Sequence, residues 1–301
     1  MSGRIGFVIL HYNAIRETID CVNSILNNID TDNYFIIIVD NKSPNCTGET
    51  LKEKYNRSEK IKVILNEENL GFACGNNVGY QYAVQELECS FICILNNDTL
   101  VIQNDFFAVI NEEYKRSHFG VMGPMIVLKD GKINRLYYTL PDVEFFKREK
   151  EIMRKEYYIA KRHLRIVNFL FNIAKSIFYK MFRLKECSRF DAYFTSKALN
   201  SRHEDVVLHG CCLVFSPVYI ESYQEAFNPK TFLYKEEELL YLRCKNRGLK
   251  TIYNPDLFIK HLEDASTNSI LENSRVKRIR WAKNQIDSLN VVIEEMKNGK
   301  N

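Results

Sequence analysis

The nine cysteines of this chain include no CxxC or CxxxH pairing, and their placement argues against a disulfide framework. Cys89, Cys93, Cys211 and Cys212 sit inside apolar runs, where Cys acts as a small buried hydrophobe, so a reducing, cytoplasmic setting is expected. No segment reaches the roughly 18 apolar residues of a membrane span. The first apolar run, Ile5 to Leu10, is too short for a signal peptide and ends at His11, so the expectation is a soluble or peripheral protein. There is no internal repeat and no low-complexity tract.

What is present is 46% hydrophobic residues in 301, enough for one large α/β domain or two modest ones. Formal net charge is only +4, but it is unevenly spread. Between Lys147 and Arg189 there are 13 Lys and Arg against 4 Glu, so the remainder is net acidic.

Along the chain, apolar runs alternate with helical patterns. Strands are expected at Ile5 to Leu10, Phe35 to Val39, Lys62 to Leu65, Phe91 to Leu95 and Val121 to Leu128. Helices are expected at Ile15 to Asn27, Thr50 to Tyr55, Gly75 to Leu87 and Phe106 to Tyr114. Such alternation implies a mostly parallel sheet flanked by helices. From about Lys129 a basic helical insertion interrupts it, and the α/β pattern resumes with a strand at Val206 to Phe215, a helix at Glu236 to Asn246 and a strand at Lys250 to Tyr253. The expected divisions are 1–128, the insertion 129–204, 205–267 and a terminal amphipathic helix within 268–301.

Three places carry chemistry. Asp40, with Asn41 and Ser43, follows a strand; its carboxylate either accepts the N3–H of a pyrimidine base or a ribose hydroxyl, or caps a turn. The loop Asn69-Leu70-Gly71-Phe72, running on to Gly75-Asn76-Asn77, has glycines that permit close backbone approach, ahead of a helix start that can face phosphate. Its spacing and its place after the third strand exclude a GxGxxG dinucleotide loop. The third place joins Asn96-Asn97-Asp98 with Glu236-Glu237-Glu238 and His261. Asp98 and His261 can hold a hard cation, although a lone His is more often structural than a ligand. A Glu in the first turn of the late helix can serve as general base, or can simply answer the helix dipole.

The order His11-Tyr12-Asn13, Val39-Asp40-Asn41, Asn69-Leu70-Gly71-Phe72 with Gly75-Asn76-Asn77, Leu95-Asn96-Asn97-Asp98-Thr99, Gly210-Cys211-Cys212-Leu213, and Phe232-Leu233-Tyr234 with Glu236-Glu237 closely resembles family 2 glycosyltransferases. Within them it is most similar to the rhamnosyltransferase-like group of bacterial cell-surface polysaccharide synthesis. The resemblance covers residues 4–128 and 205–267. It implies a GT-A fold, a nucleotide-diphosphate sugar donor, Mn²⁺ or Mg²⁺, and inverting transfer to a glycan or lipid-linked saccharide. By position, His11, Tyr12, Asn13, Asp40, Asn41, Asn69, Gly71, Phe72, Gly75, Asn76 and Asn97 are expected at the donor, with Asp40 on the base. Asp98 and His261 are expected at the metal, and Gly210, Cys211 and Tyr234 at the acceptor. Glu237 is expected as base, with Glu236 its rival, because members commonly carry Glu-Asp there. Asn96 stands where many members have Asp, so metal binding rests on Asp98 and diphosphate oxygens.

The segment Arg165 to Arg183 alternates apolar and aromatic positions with cations, the pattern of an interfacial helix, so membrane contact through residues 147–189 is expected. Packing on the protein itself is the rival account. Nucleic acid is not expected as a partner, since a groove-binding protein has no need of the acidic site. A non-catalytic, glycan- or partner-binding relative is the alternative function. A sugar nucleotidyltransferase would need a glycine-rich loop with a following Arg before the first helix, where His11-Tyr12-Asn13 stands instead.

Overall fold

A computed structural model describes residues 3–134, 140–162, 196–262 and 274–298, together with positions 170, 173, 174, 176 and 177. Most of the expected interfacial segment Arg165 to Arg183 lies outside the described residues.

Strands β1 (Ile5–His11), β2 (Tyr34–Asp40), β3 (Ile61–Leu65) and β4 (Phe91–Asn96) pair in parallel, in the spatial order β3-β2-β1-β4. Their sequences read as continuous apolar runs because helices cover both faces of the sheet. Beyond β4 the sheet continues through β8 (Cys212–Phe215), β6 (Val121–Leu128), β9 (Thr251–His261) and β5 (Thr99–Val101). β8 is antiparallel to both β4 and β6, whereas β9 runs parallel to β6. A two-residue strand, β7 (His203–Glu204), pairs antiparallel with β9. The mostly parallel, helix-flanked sheet is the fold class that the sequence led us to expect.

One face of the sheet is packed by α1 (Ile15–Asn28), which buries Cys21, Val22 and Ile25, and by α4 (Phe106–Ser117), which buries Phe106, Phe107 and Ile110. The other face takes α3 (Gly71–Gln85), whose small residues let it settle deeply: a Cβ on Gly79 would lie 2.4 Å from the Val8 side chain. A shorter helix, α2 (Thr47–Lys54), follows β2. The segment after β6 supplies α5 (Val143–Arg162) and the short α6 (Ser196–Leu199). After β8 come α7 (Pro217–Ser222), α8 (Glu236–Asn246) and, C-terminal to β9, α9 (Ser274–Asn298). Phe146 and Met153 of α5, Leu239 of α8 and Leu289, Val292 and Ile293 of α9 form a separate apolar cluster.

Three expected boundaries move furthest. The helix expected from Gly75 begins at Gly71, whose φ of +78° turns the chain directly into it. The strand expected over Val206 to Phe215 shrinks to Cys212–Phe215; left-handed Asp205 and the turn at Gly210 and Cys211 break the ladder, although Val206, Val207 and Leu208 stay buried. The strand expected at Lys250 to Tyr253 instead runs to His261. Its register jumps from Pro124↔Asn254 to Met125↔Phe258, so the bulge absorbs Pro255, which has no N–H to give the ladder.

Candidate functional site

The extension of β9 has a chemical consequence. β5 pairs with it in the register Thr99↔His261, which brings Asp98, at the end of the β4 segment, beside His261. Asp98 Oδ1 lies 3.1 Å from His261 Nε2, and the Asp98 carbonyl accepts the Leu262 amide at 3.0 Å. Both side chains are about one-tenth exposed. His261 Nδ1 is buried and has no hydrogen-bond partner.

The chain between Gly210 and Cys211 links this pair to the late helix. Cys211 accepts the Asn96 amide on its carbonyl at 2.9 Å, which ties the turn to the end of β4. The Gly210 amide donates to Glu237 Oε1 at 2.5 Å, and a Cβ at Gly210 would come within 3.2 Å of that oxygen. His209 stands between the two halves: its Nδ1 is 3.8 Å from Glu237 Oε1, and its ring centroid is 6.1 Å from that of His261. The Cys211 amide donates to His209 Nδ1 at 3.1 Å. That bond leaves the proton of a neutral His209 on Nε2.

Left-handed Tyr234 and Lys235 turn the chain into α8 and place three glutamates in its first turn. They are not equivalent. Glu236 is 6% exposed, receives the Thr231 side chain and has one oxygen, Oε1, buried without a partner. The Glu237 side chain keeps 26% exposure beside His209. Burial, followed by repulsion from Glu238, nevertheless pushes the Glu237 carboxyl up to about 8; burial raises Glu236 to about 7. His209 moves the other way, to about 4, first by burial and then by the charge of His261. Burial, then the neighbouring Glu236, also raises the Tyr234 phenol.

Several residues expected at the donor are engaged by the protein itself. His11 is fully buried, with Nδ1 on Thr18 at 2.7 Å and Nε2 on Thr47 at 2.9 Å, so both ring nitrogens pin β1 to α1 and α2. Asn97 donates to Thr18 Oγ1 at 3.1 Å and is turned toward α1. Asp40 is 3% exposed and accepts the Ser43 hydroxyl at 2.5 Å and the Ser43 amide at 3.2 Å, which is the turn cap weighed from the sequence. Asn13 adopts φ +63° and donates its amide to Ser43 Oγ, and its side-chain Oδ1 is buried without a partner. Tyr12, half-buried between them, contributes its carbonyl to the Ala14 amide.

Asn41 fills all its bonding capacity: it donates to Asn69 Oδ1 and the Gly71 carbonyl and accepts from Asn66 and the Leu70 amide. Gly71 and Gly75, expected at the donor, also allow close packing within the protein. A Cβ on Gly71 would lie 2.2 Å from the Phe232 carbonyl oxygen, which the Phe72 amide approaches at 2.7 Å; one on Gly75 would lie 2.7 Å from Leu10. Asn76 caps onto the Phe72 carbonyl and leaves Oδ1 buried and unpartnered. Cys211, expected at the acceptor, directs its thiol into the core, 1% exposed, and takes part only through its backbone.

His209 escaped the sequence reading because it lies in what looked like a strand. The signal available was a titratable ring directly before Gly210-Cys211.

Among the described residues no cluster of three or more His, Cys, Asp and Glu can enclose a cation. The pair Asp98 and His261 fits a two-point anchor. Two adjacent ligands of an octahedral ion with bonds of about 2.1 Å stand about 3 Å apart, and the observed separation is 3.1 Å. Remaining positions would fall to phosphate oxygens and water.

Comparison with known proteins identifies the family and the fold. The family model for Glycosyl transferase family 2 matches residues 7–182, which includes Asp40 and Asp98 and ends before His209, Glu237 and His261. The dTDP-rhamnosyl transferase RfbF of Shigella flexneri is 25% identical over 130 residues, 43% of this chain, and the match spans 41% of that relative's length. The structure of Staphylococcus aureus TarS 1-349 superposes with a TM-score of 0.53 at 12% identity, covering 98% of this chain and 71% of TarS. GalNAc-T7, solved with UDP, GalNAc and Mn²⁺, gives a TM-score of 0.59 at 13% identity over 93% of this chain and 47% of its own. At these identities the two structures speak for the fold, which is GT-A.

Proposed function

The chain belongs to glycosyl transferase family 2, and from that premise we propose that it moves a sugar from a nucleotide-diphosphate donor, dTDP-rhamnose or a UDP-hexose, to a hydroxyl of a glycan or lipid-linked saccharide in cell-surface polysaccharide synthesis. The observation that carries the proposal is the partly exposed Glu237 carboxyl beside His209, whose ring centroid lies 6.1 Å from that of His261, the partner of Asp98. RfbF and GalNAc-T7 support the two donor classes by what their names and bound molecules state.

In this reading Glu237 takes the proton of the acceptor hydroxyl while its oxygen attacks the anomeric carbon. The bond from that carbon to the diphosphate breaks, the electron pair leaves with the diphosphate, and the anomeric configuration inverts. The Gly210 amide holds the carboxylate at the correct edge, and His209, with its proton on Nε2, offers a hydrogen bond between base and leaving group. Asp98 and His261 would hold Mn²⁺ or Mg²⁺. Such an ion supplies positive charge that neutralises a departing diphosphate. Asn41 braces the donor loop through Asn69 and the Gly71 carbonyl.

A panel of dTDP and UDP sugars, incubated with the chain with and without Mn²⁺ and assayed for nucleotide release, tests the proposal. Release from one donor class is expected. No release from any donor would favour a non-catalytic binding protein.

We also infer that the acceptor side approaches an anionic membrane through α5. That helix carries seven basic and four acidic residues, and two of the acids, Glu149 and Glu156, face inward. Lys147, Arg148 and Lys155 line a shallow depression of about 370 Å³ with Glu151 and Ile152. No described helix is long and apolar enough to cross a bilayer. Pelleting with anionic but not neutral vesicles, lost when Lys147, Arg148 and Lys155 become Glu, is expected; equal pelleting by both proteins refutes the contact.

A further inference from the structure

The buried face of α5 repeats at Phe146, Glu149, Met153, Glu156 and Ile159, so two of its core-facing positions are glutamates. A carboxylate placed there needs a cation. Glu156 receives Arg278 of α9 at 2.6 Å. Glu149 reaches elsewhere: Lys235 Nζ lies 3.2 Å from its Oε1 and 3.1 Å from its Oε2. The same ammonium is 3.1 Å from Glu238 Oε1 and 5.6 Å from the centroid of the Phe146 ring. All three charged side chains are less than one-fifth exposed.

Lys235 is also the left-handed residue, at φ +68°, that immediately precedes Glu236 and Glu237. It therefore joins a helix far away in sequence to the turn that leads to Glu237. Ser288 of α9 secures the same turn by donating to the Leu233 carbonyl at 3.0 Å.

Resting on the transferase reading above, we propose that α5 belongs to the transfer apparatus: Glu149, acting through Lys235, is a positioning residue that fixes the turn ahead of α8 and balances the charge around Glu237. Lys235 is one cation shared between two carboxylates. Burial opposes its charge, but Glu238 and Glu149 overcome that and hold the ammonium above its ordinary value. At Glu237 the Lys235 charge opposes the repulsion from Glu238 and Glu236. The other groups facing Glu237 are His209 and, beyond it, Asp98 and His261. Arg280 of α9 acts on Tyr234 in the same turn.

The two partners of this clamp should then displace Glu237 in opposite directions. Glu149→Gln removes an anion and frees more of the Lys235 charge, which eases ionisation of Glu237. Lys235→Met removes the ammonium that favours the ionised carboxylate and makes ionisation harder. The full chain, labelled with carboxyl-¹³C glutamate and assigned by the signal missing from Glu237→Gln, gives the Glu237 titration directly. About half a pH unit downward in Glu149→Gln and upward in Lys235→Met is expected. Glu53→Gln, on the exposed side of α2, should leave it in place. Any result other than opposite displacements in folded variants, including no displacement, overturns the inference. A chain that releases nucleotide from no donor would sink the functional reading, while the titration would still decide this one.

Discussion

Glu237 Oε1 and His209 Nδ1 approach to 3.8 Å, yet no proton is shared between them, because that nitrogen already accepts the Cys211 amide. The same loop thus does two things at once. The Gly210 amide holds the carboxylate, and the Cys211 amide fixes the imidazole tautomer beside it. Neither side chain depends on the other for its orientation, so each can be altered separately.

Glu237→Gln keeps the Gly210 hydrogen bond and removes the basic oxygen. Turnover is expected to fall by about 10² to 10⁴, the usual contribution of a general base, with donor KM within about twofold. Glu236→Gln should behave differently, because its carboxyl is buried on Thr231 and does not reach the exposed edge. Its expected effect is on melting temperature. Steady-state kinetics and thermal denaturation on the two variants separate the rival bases; equal losses of turnover would reject the assignment of Glu237.

The pH dependence follows from the same carboxyls. As base, Glu237 must be ionised, so kcat/KM should rise with pH through about 8. Its folded value lies above the ordinary 4.5, so the folded chain holds the proton more tightly than the unfolded one. Stability from this group is complete below about 4.5 and is lost as pH rises through about 8. His11 acts in reverse: burial lowers it to about 4 from 6.5, so its contribution is present above 6.5 and is lost as pH falls through about 4. That term is on the order of 3 kcal/mol for a fully buried ring. Melting temperatures measured from pH 4 to 9 should carry both terms, and Glu237→Gln should remove only the loss that accrues as pH rises from about 4.5 to about 8.

Much of the fold was legible because β1, β2 and β4 are apolar along their whole length and end at polar residues. Asp98 could be singled out for the same reason. What stayed hidden depends on partners distant in sequence. Nothing local tells that His11 will be enclosed by Thr18 and Thr47, or that Asn41 will be consumed by Asn66, Asn69 and the backbone around Gly71. His209 was hidden by an apolar run that stays buried without pairing along its length, and the full length of β9 by the bulge at Pro255, which interrupts the apolar pattern without ending the strand. The role of Glu149 is written in Lys235, 86 residues later.

Asp98→Ala and His261→Ala each remove half of the two-point anchor. If the pair holds a cation, both variants should lose stimulation by Mn²⁺, and donor KM should rise at least about tenfold, as expected when a ligand to a bound ion is deleted. Chelation of the wild-type chain should produce the same state, and excess Mn²⁺ should reverse it. Isothermal titration of Mn²⁺ in the presence of UDP or dTDP provides a readout apart from turnover. Unchanged Mn²⁺ binding in Asp98→Ala would remove the pair from the metal site.

Gly71 ties the loop that opens α3 to the turn that leads to Glu237, and its substitution should therefore do more than strain one residue. At φ +78° a side chain is disfavoured, and its Cβ would also strike the Phe232 carbonyl, 2.2 Å away. Gly131 supplies the control: its φ is +82°, but nothing lies within 4 Å of the added carbon. Both alanine variants bear the backbone cost, about 1 kcal/mol. Only Gly71→Ala must also push the Phe232 backbone away, which lengthens the Phe72 hydrogen bond and shifts the turn four residues before Glu236. Gly71→Ala is accordingly expected to melt several degrees below Gly131→Ala and to lose turnover, whereas Gly131→Ala keeps its activity. Equal melting points would mean that the loop yields freely, and that its contact with Phe232 does not hold the two sides of the site together.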